Sequence, residues 1–281
     1  MVNEQQTKFW SGTGGEYWVA NQQQMDNMLS PLGDKALEKL DLTTVTHLLD
    51  VGCGTGTTTL DIGAAVPDGG RVTGADLSVP MTEYARERAT QQGVANVDFM
   101  QCDVQADPFD AQAFDAAFSR FGVMFFDKPV LGLSNIHKAL KPSSQFAFVC
   151  WQAPNKNLWH SLALEIAKKY IDIPTPPSPQ APGPFAFADK DYLASIISSA
   201  GFSDITIEQH EQEIELFAGM GIRDTAENYA RINPAIANFV GDADEAAVMA
   251  LIDNLAEGLS AFHDGHSLRL PSATWIVCAR S

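Results

Sequence analysis

Residues His47–Gly63 read HLLDVGCGTGTTTLDIG. Leu48 and Leu49 run into Asp50, Val51 follows, and glycine then fills positions 52, 54 and 56 before a helical TTTLDIG begins. A buried strand that must turn straight into a helix needs such residues. Without Cβ atoms, Gly52, Gly54 and Gly56 let the turn tighten and leave bare backbone against which a ligand can lie. The spacing is GxGxG, not the GxGxxG of a dinucleotide-binding turn, and a glycine loop alone is a weak signal because phosphate loops and plain turns use it too.

The neighbours of the loop strengthen it. From about residue 45 to 150, strand-like runs alternate with helical ones: THLLDVG then TTTLDIGAAV, GRVTGADLS then PMTEYARERATQQG, NVDFMQCDV leading to FDAAFSRFGVMFF, and KPVLGLSNIHKAL leading to SSQFAFVCWQ. This alternation predicts βαβ units and an α/β fold with a doubly wound, Rossmann-like parallel sheet, closed by the final SATWIVCARS as a last strand. Such sheets bind ligands beyond the carboxyl ends of their strands, where Asp50, Asp76 and Asp103 all fall. A carboxylate at Asp76 can accept both hydroxyls of a ribose. Asp103 suits an exocyclic amine, with the Val104 N–H beside it for a ring nitrogen.

Taken in order, LLDVGCGTG, VTGADLS, MQCDV, FDAAFSRFGVMFF and ALKPSSQFAFVCWQ resemble the class I S-adenosylmethionine-dependent methyltransferases over residues 45–152. The resemblance implies a mostly parallel methyltransferase sheet with an antiparallel last strand, and S-adenosyl-L-methionine as cofactor. It implies that Asp50, Gly52, Cys53 and Gly54 approach the methionine portion, Asp76 and Leu77 the ribose, and Asp103 and Val104 the adenine. Ser119, Arg120 and Phe121, at the end of the fourth strand, fall beside the sulfonium. Ser143 and Ser144 depart from the pattern, standing where the family usually has two glycines. The opening KFWSGTGGEYWVANQQQMDNMLSPLG and the later PGPFAF are similar to a bacterial subgroup acting on small molecules. The planar-nitrogen motif NPPY is missing after the fourth strand, which disfavours methylation of bases or glutamine.

Composition bounds the rest. The chain has 281 residues, 45% of them hydrophobic, enough for one α/β domain with additions: a cofactor-binding core at 45–152, and helical lid or substrate-chamber segments at 1–44, 154–188 and 216–270. A formal charge of −17 repels phosphate backbones, so nucleic acid is not expected as a partner. No apolar run reaches the roughly 18 residues of a spanning helix and the start has no signal-peptide character, so a cytoplasmic protein without membrane insertion is expected. The scattered Cys53, Cys102, Cys150 and Cys278 form no metal cluster or disulfide framework; they are expected to be free thiols, the last three as core residues. Nothing signals an oligomeric state.

Methyl transfer asks for alignment more than covalent help. No residue stands out as catalytic; Arg120, His160 and His263 are the weak candidates. Phe9, Trp10, Tyr17, Trp18, Trp151 and Trp159 are available to roof a chamber for an apolar or aromatic acceptor. Thirteen acids against two arginines from Asp204 to Asp264 read as a solvated helical surface. Two functions stand: methylation of a small molecule, with an oxygen or carbon nucleophile favoured, or a non-catalytic cofactor-binding or regulatory subunit on the same fold. A dinucleotide oxidoreductase is disfavoured by the glycine spacing.

Overall fold

A computed structural model describes residues 3–171, 178–232 and 234–281. The chain begins with three helices, α1 (Glu4–Trp10), α2 (Thr13–Ala20) and α3 (Gln22–Leu37). Then comes the alternation: β1 (His47–Val51), α4 (Thr57–Ala65), β2 (Arg71–Asp76), α5 (Val79–Gln92), β3 (Val97–Gln101), β4 (Phe114–Arg120), α6 (Pro129–Ala139) and β5 (Leu140–Trp151). After it come α7 (Leu158–Ala167), α8 (Lys190–Ser199), β6 (Ser203–Leu216), α9 (Ile222–Ile232), α10 (Pro234–Asp242), α11 (Glu245–Leu259) and β7 (Leu268–Arg280).

The strands form one sheet in the order β3-β2-β1-β4-β5-β7-β6. Strands β1 to β5 pair in parallel, and β7 runs antiparallel to β5 from Gln145↔Arg280 to Trp151↔Thr274. The doubly wound, mostly parallel sheet with an antiparallel last strand is therefore present. Parallel strands covered on both faces need apolar residues at successive positions, and β1 meets that with Leu48, Leu49 and Val51 all buried. Order reverses at β1: β2 and β3 lie to one side and β4 to the other, which opens a crevice at the carboxyl end of β1.

The chain makes two compact units. The first comprises Met1–Trp151, Gln180–His210 and Thr274–Ser281, the second Gln152–Pro179 and Glu211–Ala273. Of the segments read as additions to the core, 1–44 and the end of 154–188 fall in the first unit; the rest of 154–188 and 216–270 fall in the second. The proline-rich part of 154–188 lies partly at 172–177, outside the described residues. Its later part is built into the first unit, where the Gly183 N–H donates to the Met124 carbonyl at 3.1 Å and Phe187 is buried. All four cysteines are free; Cys53, Cys102 and Cys150 are buried. Cys278 is only half-buried and not a core residue as expected, because its strand lies one from the sheet edge, where the Gln145 amide donates to its Sγ at 3.8 Å.

Ser143 takes up a left-handed backbone, φ 66°, at the position where glycine is expected. Its N–H donates to the Ser281 carbonyl at 3.0 Å and its carbonyl accepts from Arg280 at 2.9 Å, so the conformation is held by the chain end. The left-handed region costs an L-residue about 1–2 kcal/mol, part of which glycine's larger unfolded-state entropy cancels. Ser143→Gly is expected to raise the melting temperature by about 2 °C. Unchanged or lowered thermal unfolding in calorimetry refutes that reading of the turn.

Candidate active site

The glycine loop follows β1 directly. Gly52 and Cys53 both donate N–H groups to the Ala75 carbonyl of β2, at 2.8 and 3.2 Å, which binds the loop to the neighbouring strand. Gly52 has φ 69°, and a Cβ there would stand 2.8 Å from Gly122 Cα. Gly56 has φ 85°, and a Cβ there would meet Ala85 Cβ at 2.8 Å. At these two positions no side chain fits by conformation or by space. Cys53 Sγ is buried, and burial pushes its thiol well above the ordinary cysteine range, so it acts as a small neutral residue.

Asp50 closes β1 and is almost wholly buried. Its Oδ2 accepts from Thr58 Oγ1 at 2.6 Å and Thr59 Oγ1 at 2.7 Å, while buried Oδ1 has no hydrogen-bond partner in the protein. Burial raises its pKa above the usual carboxylate range, against the lowering effect of the two hydroxyls. Thr55 Oγ1, within the loop, is likewise buried and unpartnered. A charged acceptor and a hydroxyl left unmet beside one bare turn are expensive unless a ligand meets them. This donor and acceptor set suits the charged amino-acid end of a cofactor.

One strand over, Asp76 Oδ2 accepts the Gly54 N–H at 2.9 Å and Oδ1 accepts the Ser78 N–H at 2.8 Å. Burial pushes its carboxyl up to about 6, with those N–H groups holding it down and Asp50 adding repulsion. Each oxygen keeps lone-pair capacity for a further donor. Leu77 follows, its carbonyl taken by Ser11 Oγ at 3.3 Å and Gln101 Nε2 at 3.1 Å. Beyond β3, Asp103 Oδ1 accepts the Gln105 N–H at 3.0 Å and Asn3 Nδ2 at 3.3 Å; burial raises this carboxyl as well. Val104 is buried, with Asn135 donating to its carbonyl at 2.7 Å. Asp50, Asp76 and Asp103 thus stand at the ends of three adjacent strands, with the glycine loop among them.

At the end of β4, the Ser119 hydroxyl donates to the Val51 carbonyl at 2.7 Å and receives the Gly122 N–H at 3.3 Å. It fastens the end of β4 to the end of β1. Phe121 is left-handed at φ 59° and stacks on Trp151 with centroids 4.4 Å apart, an uncommon backbone for an aromatic residue next to a binding crevice. Arg120 turns away into a buried ion pair: Nη2 to Asp26 Oδ1 at 2.6 Å and Nη1 to Ser30 Oγ at 2.8 Å. Asp26 also accepts Thr57 Oγ1 at 2.5 Å and the Gln22 amide, so α3, β4 and the start of α4 meet at one carboxylate. Gly33 makes room, since a Cβ there would stand 2.7 Å from Arg120 Cδ.

The histidine candidates belong to the second unit. His263 Nδ1 accepts the Gly265 N–H at 3.1 Å, so Nε2 carries the proton and donates to the Met220 carbonyl at 3.0 Å. His160, on α7, is half-buried, and burial lowers its pKa. Among the aromatic candidates, Trp10 meets Phe9, Trp18 and Phe125 edge to face at 5.0, 5.8 and 5.1 Å, a cluster inside the first unit. Among the described residues no group of three or more His, Cys, Asp or Glu is arranged to hold a metal ion, and no helix is long and apolar enough to cross a membrane. Sequence reasoning missed Asn3, Asp26, Thr55 and the Thr57–Thr59 run. The three threonines after the loop were visible, since hydroxyls at a helix start reach back to the preceding strand.

Residues 48–143, which carry the glycine loop and the strand-end acids, match the family model described as a methyltransferase domain. Aklanonic acid methyltransferase of Streptomyces sp. (strain C5) is 29% identical over 119 residues, 42% of this chain and 54% of that protein. A demethylmenaquinone methyltransferase of Lactococcus lactis subsp. lactis (strain IL1403) is 29% identical over 124 residues, 44% and 48% of the two chains. The chain spans about half the length of these curated relatives. A solved structure of the Bacillus subtilis YcgJ protein superposes with a TM-score of 0.56 at 16% identity, over 90% of this chain and 97% of that one, which shows a shared fold.

The Arg120–Asp26 pair yields a stability test. Removing one partner of a buried pair strands a charge, at a cost of about 3–5 kcal/mol, whereas replacing both by apolar groups is often neutral. Asp26→Ala is expected to destabilise by that amount in chemical denaturation, and Asp26→Leu combined with Arg120→Met to recover most of it. A double variant no more stable than Asp26→Ala rejects the pair as the reason.

Proposed function

We propose that this protein binds S-adenosyl-L-methionine and transfers its methyl group to a small organic molecule. The observation that carries the proposal is the row of acids, Asp50 and Asp76 buried and Asp103 half-buried, at the ends of three adjacent parallel strands around a turn where side chains do not fit. The methyltransferase family match and the small-molecule methyltransferases among the relatives support it.

When bound, the cofactor supplies a methyl group on positively charged sulfur, already a strong electrophile. In this reading Asp76, with Leu77 beside it, holds the ribose hydroxyls; Asp103 and the Val104 N–H hold the adenine; Asp50 and the Gly52–Gly54 backbone receive the amino-acid end. Ser119 keeps the ends of β1 and β4 together next to the reacting centre. Arg120 and His263 are occupied by protein partners, so alignment carries the reaction and no side chain is assigned as a base.

The acceptor is taken to be apolar or aromatic, methylated at oxygen or carbon. The −17 charge disfavours nucleic acid, and two relatives are named for aklanonic acid and demethylmenaquinone. The aromatic side chains of 1–44, in the same unit as the strand-end acids, are the available source of acceptor selectivity. Four free cysteines fit a reducing, cytoplasmic setting. Incubation with isotope-labelled cofactor and a metabolite panel is expected to label a small molecule. Label chiefly in RNA, DNA or protein overturns the substrate class, and tight cofactor binding without turnover on any acceptor favours a non-catalytic subunit.

Asp76 allows two sharper tests. Losing its charge-assisted hydrogen bonds, about 1.5–3 kcal/mol each, Asp76→Ala should weaken S-adenosylhomocysteine at least tenfold in calorimetry while remaining folded. Ribose hydroxyls donate to the ionised carboxylate, so binding lowers a free-state pKa of about 6. Affinity should therefore be constant above pH 7 and fall toward tenfold per pH unit below about 6. A flat profile from pH 5 to 8 rejects Asp76 as the ribose acceptor.

A further inference from the structure

Asn3 lies 100 residues from Asp103 in sequence and its side chain is buried against it, with only 4% of the residue exposed. Its Nδ2 donates to Asp103 Oδ1 at 3.3 Å. That bond settles the amide's orientation: a carboxylate accepts only, so the nitrogen must face it and Oδ1 must point away. Asn3 Oδ1 is buried and has no hydrogen-bond partner. It belongs to the same amide whose Nδ2 meets Asp103, and the Oδ2 of that carboxylate is engaged by neither Asn3 nor Gln105. One buried acceptor on Asn3 and one on the half-buried Asp103 are thus left without a protein donor.

The backbone is built to hold the amide there. Asn3 is left-handed, φ 63°, a conformation asparagine tolerates better than most residues, and its carbonyl receives the Thr7 N–H at 2.9 Å and the Thr7 hydroxyl at 3.0 Å. The following segment is pinned across the end of β2 by Ser78 Oγ donating to the Trp10 carbonyl at 2.6 Å and by Ser11 Oγ on the Leu77 carbonyl. Asn3 therefore reaches the strand ends as part of a bound segment.

We propose that Asn3 is a specificity-determining residue that, together with Asp103, reads the 6-amino group of the cofactor's purine. This rests on the cofactor reading above. An exocyclic amine has two N–H donors, one for Asp103 Oδ2 and one for Asn3 Oδ1. A 6-oxo purine instead turns a carbonyl toward these two acceptors, and no hydrogen bond forms among the three.

The test compares S-adenosylhomocysteine with S-inosylhomocysteine, its 6-oxo analogue, by calorimetry on the full chain. Asn3→Gly removes the amide while keeping a left-handed backbone free of strain, and Asn3→Ala is the second variant; thermal unfolding checks that each is folded. The wild type is expected to prefer the adenosyl compound by about 100-fold or more, since sites built around a substrate N–H reject analogues lacking it strongly. In both variants that preference is expected to shrink about tenfold, chiefly through weaker adenosyl binding. A purely structural Asn3 would weaken both compounds alike, and an unchanged ratio overturns the inference while leaving the cofactor reading intact. Wild-type protein that binds neither compound overturns both.

Discussion

The structure depends on one constraint: a strand buried on both faces must reverse into a helix within Gly52–Gly56 while a carboxylate is buried at its end. Asp50 enforces this, since its Oδ2 is taken by Thr58 and Thr59, the second and third residues of the helix that follows. Strand end and helix start are thus joined across the loop, which itself hangs from the Ala75 carbonyl through two N–H groups. Gly74, paired with Asp50 across the sheet, has no room for a Cβ because Thr59 Oγ1 would stand 2.7 Å away. The threonine needed by Asp50 occupies the space a side chain on β2 would have used.

From this turn the crevice takes its electrostatic character. Three carboxyls stand at adjacent strand ends, two buried and Asp103 half-buried, and loss of solvent raises the pKa of each. Backbone N–H groups of Gly54, Ser78 and Gln105 oppose that for Asp76 and Asp103, whereas Asp50 relies on hydroxyls and leaves one oxygen unmet. A fold does not bury a half-satisfied carboxylate for stability, since an apolar residue would serve better. Such a group persists where a ligand meets it, and here the unmet positions surround one turn.

Around the crevice the chain uses ties between distant segments. Ser119 joins β4 to β1, Asp26 gathers α3, β4 and α4 through Arg120 and Thr57, and Trp10 and Ser11 lie on the β2 end through Ser78 and Leu77. Each tie is polar and at least partly buried, so each requires its partners to be in register. Residues that by sequence look available for chemistry, Arg120 and His263, are taken up in this way.

By itself the sequence determined the parallel sheet, the glycine turn and the three strand-end acids, because each is a local matter: a period of apolar residues, a turn without Cβ atoms, an acid one step beyond a strand. Only tertiary structure decided what those acids touch and which oxygen is left unmet. Arg120 and Asp26 are 94 residues apart and Asn3 and Asp103 are 100 apart, so neither pairing has a local pattern to read. The antiparallel β5–β7 pairing also joins distant segments, yet it was legible because the final apolar run could be read from the family resemblance. Side-chain partners across the fold follow no such pattern, since they depend on which buried polar group comes within about 3 Å of another once the strands are in register.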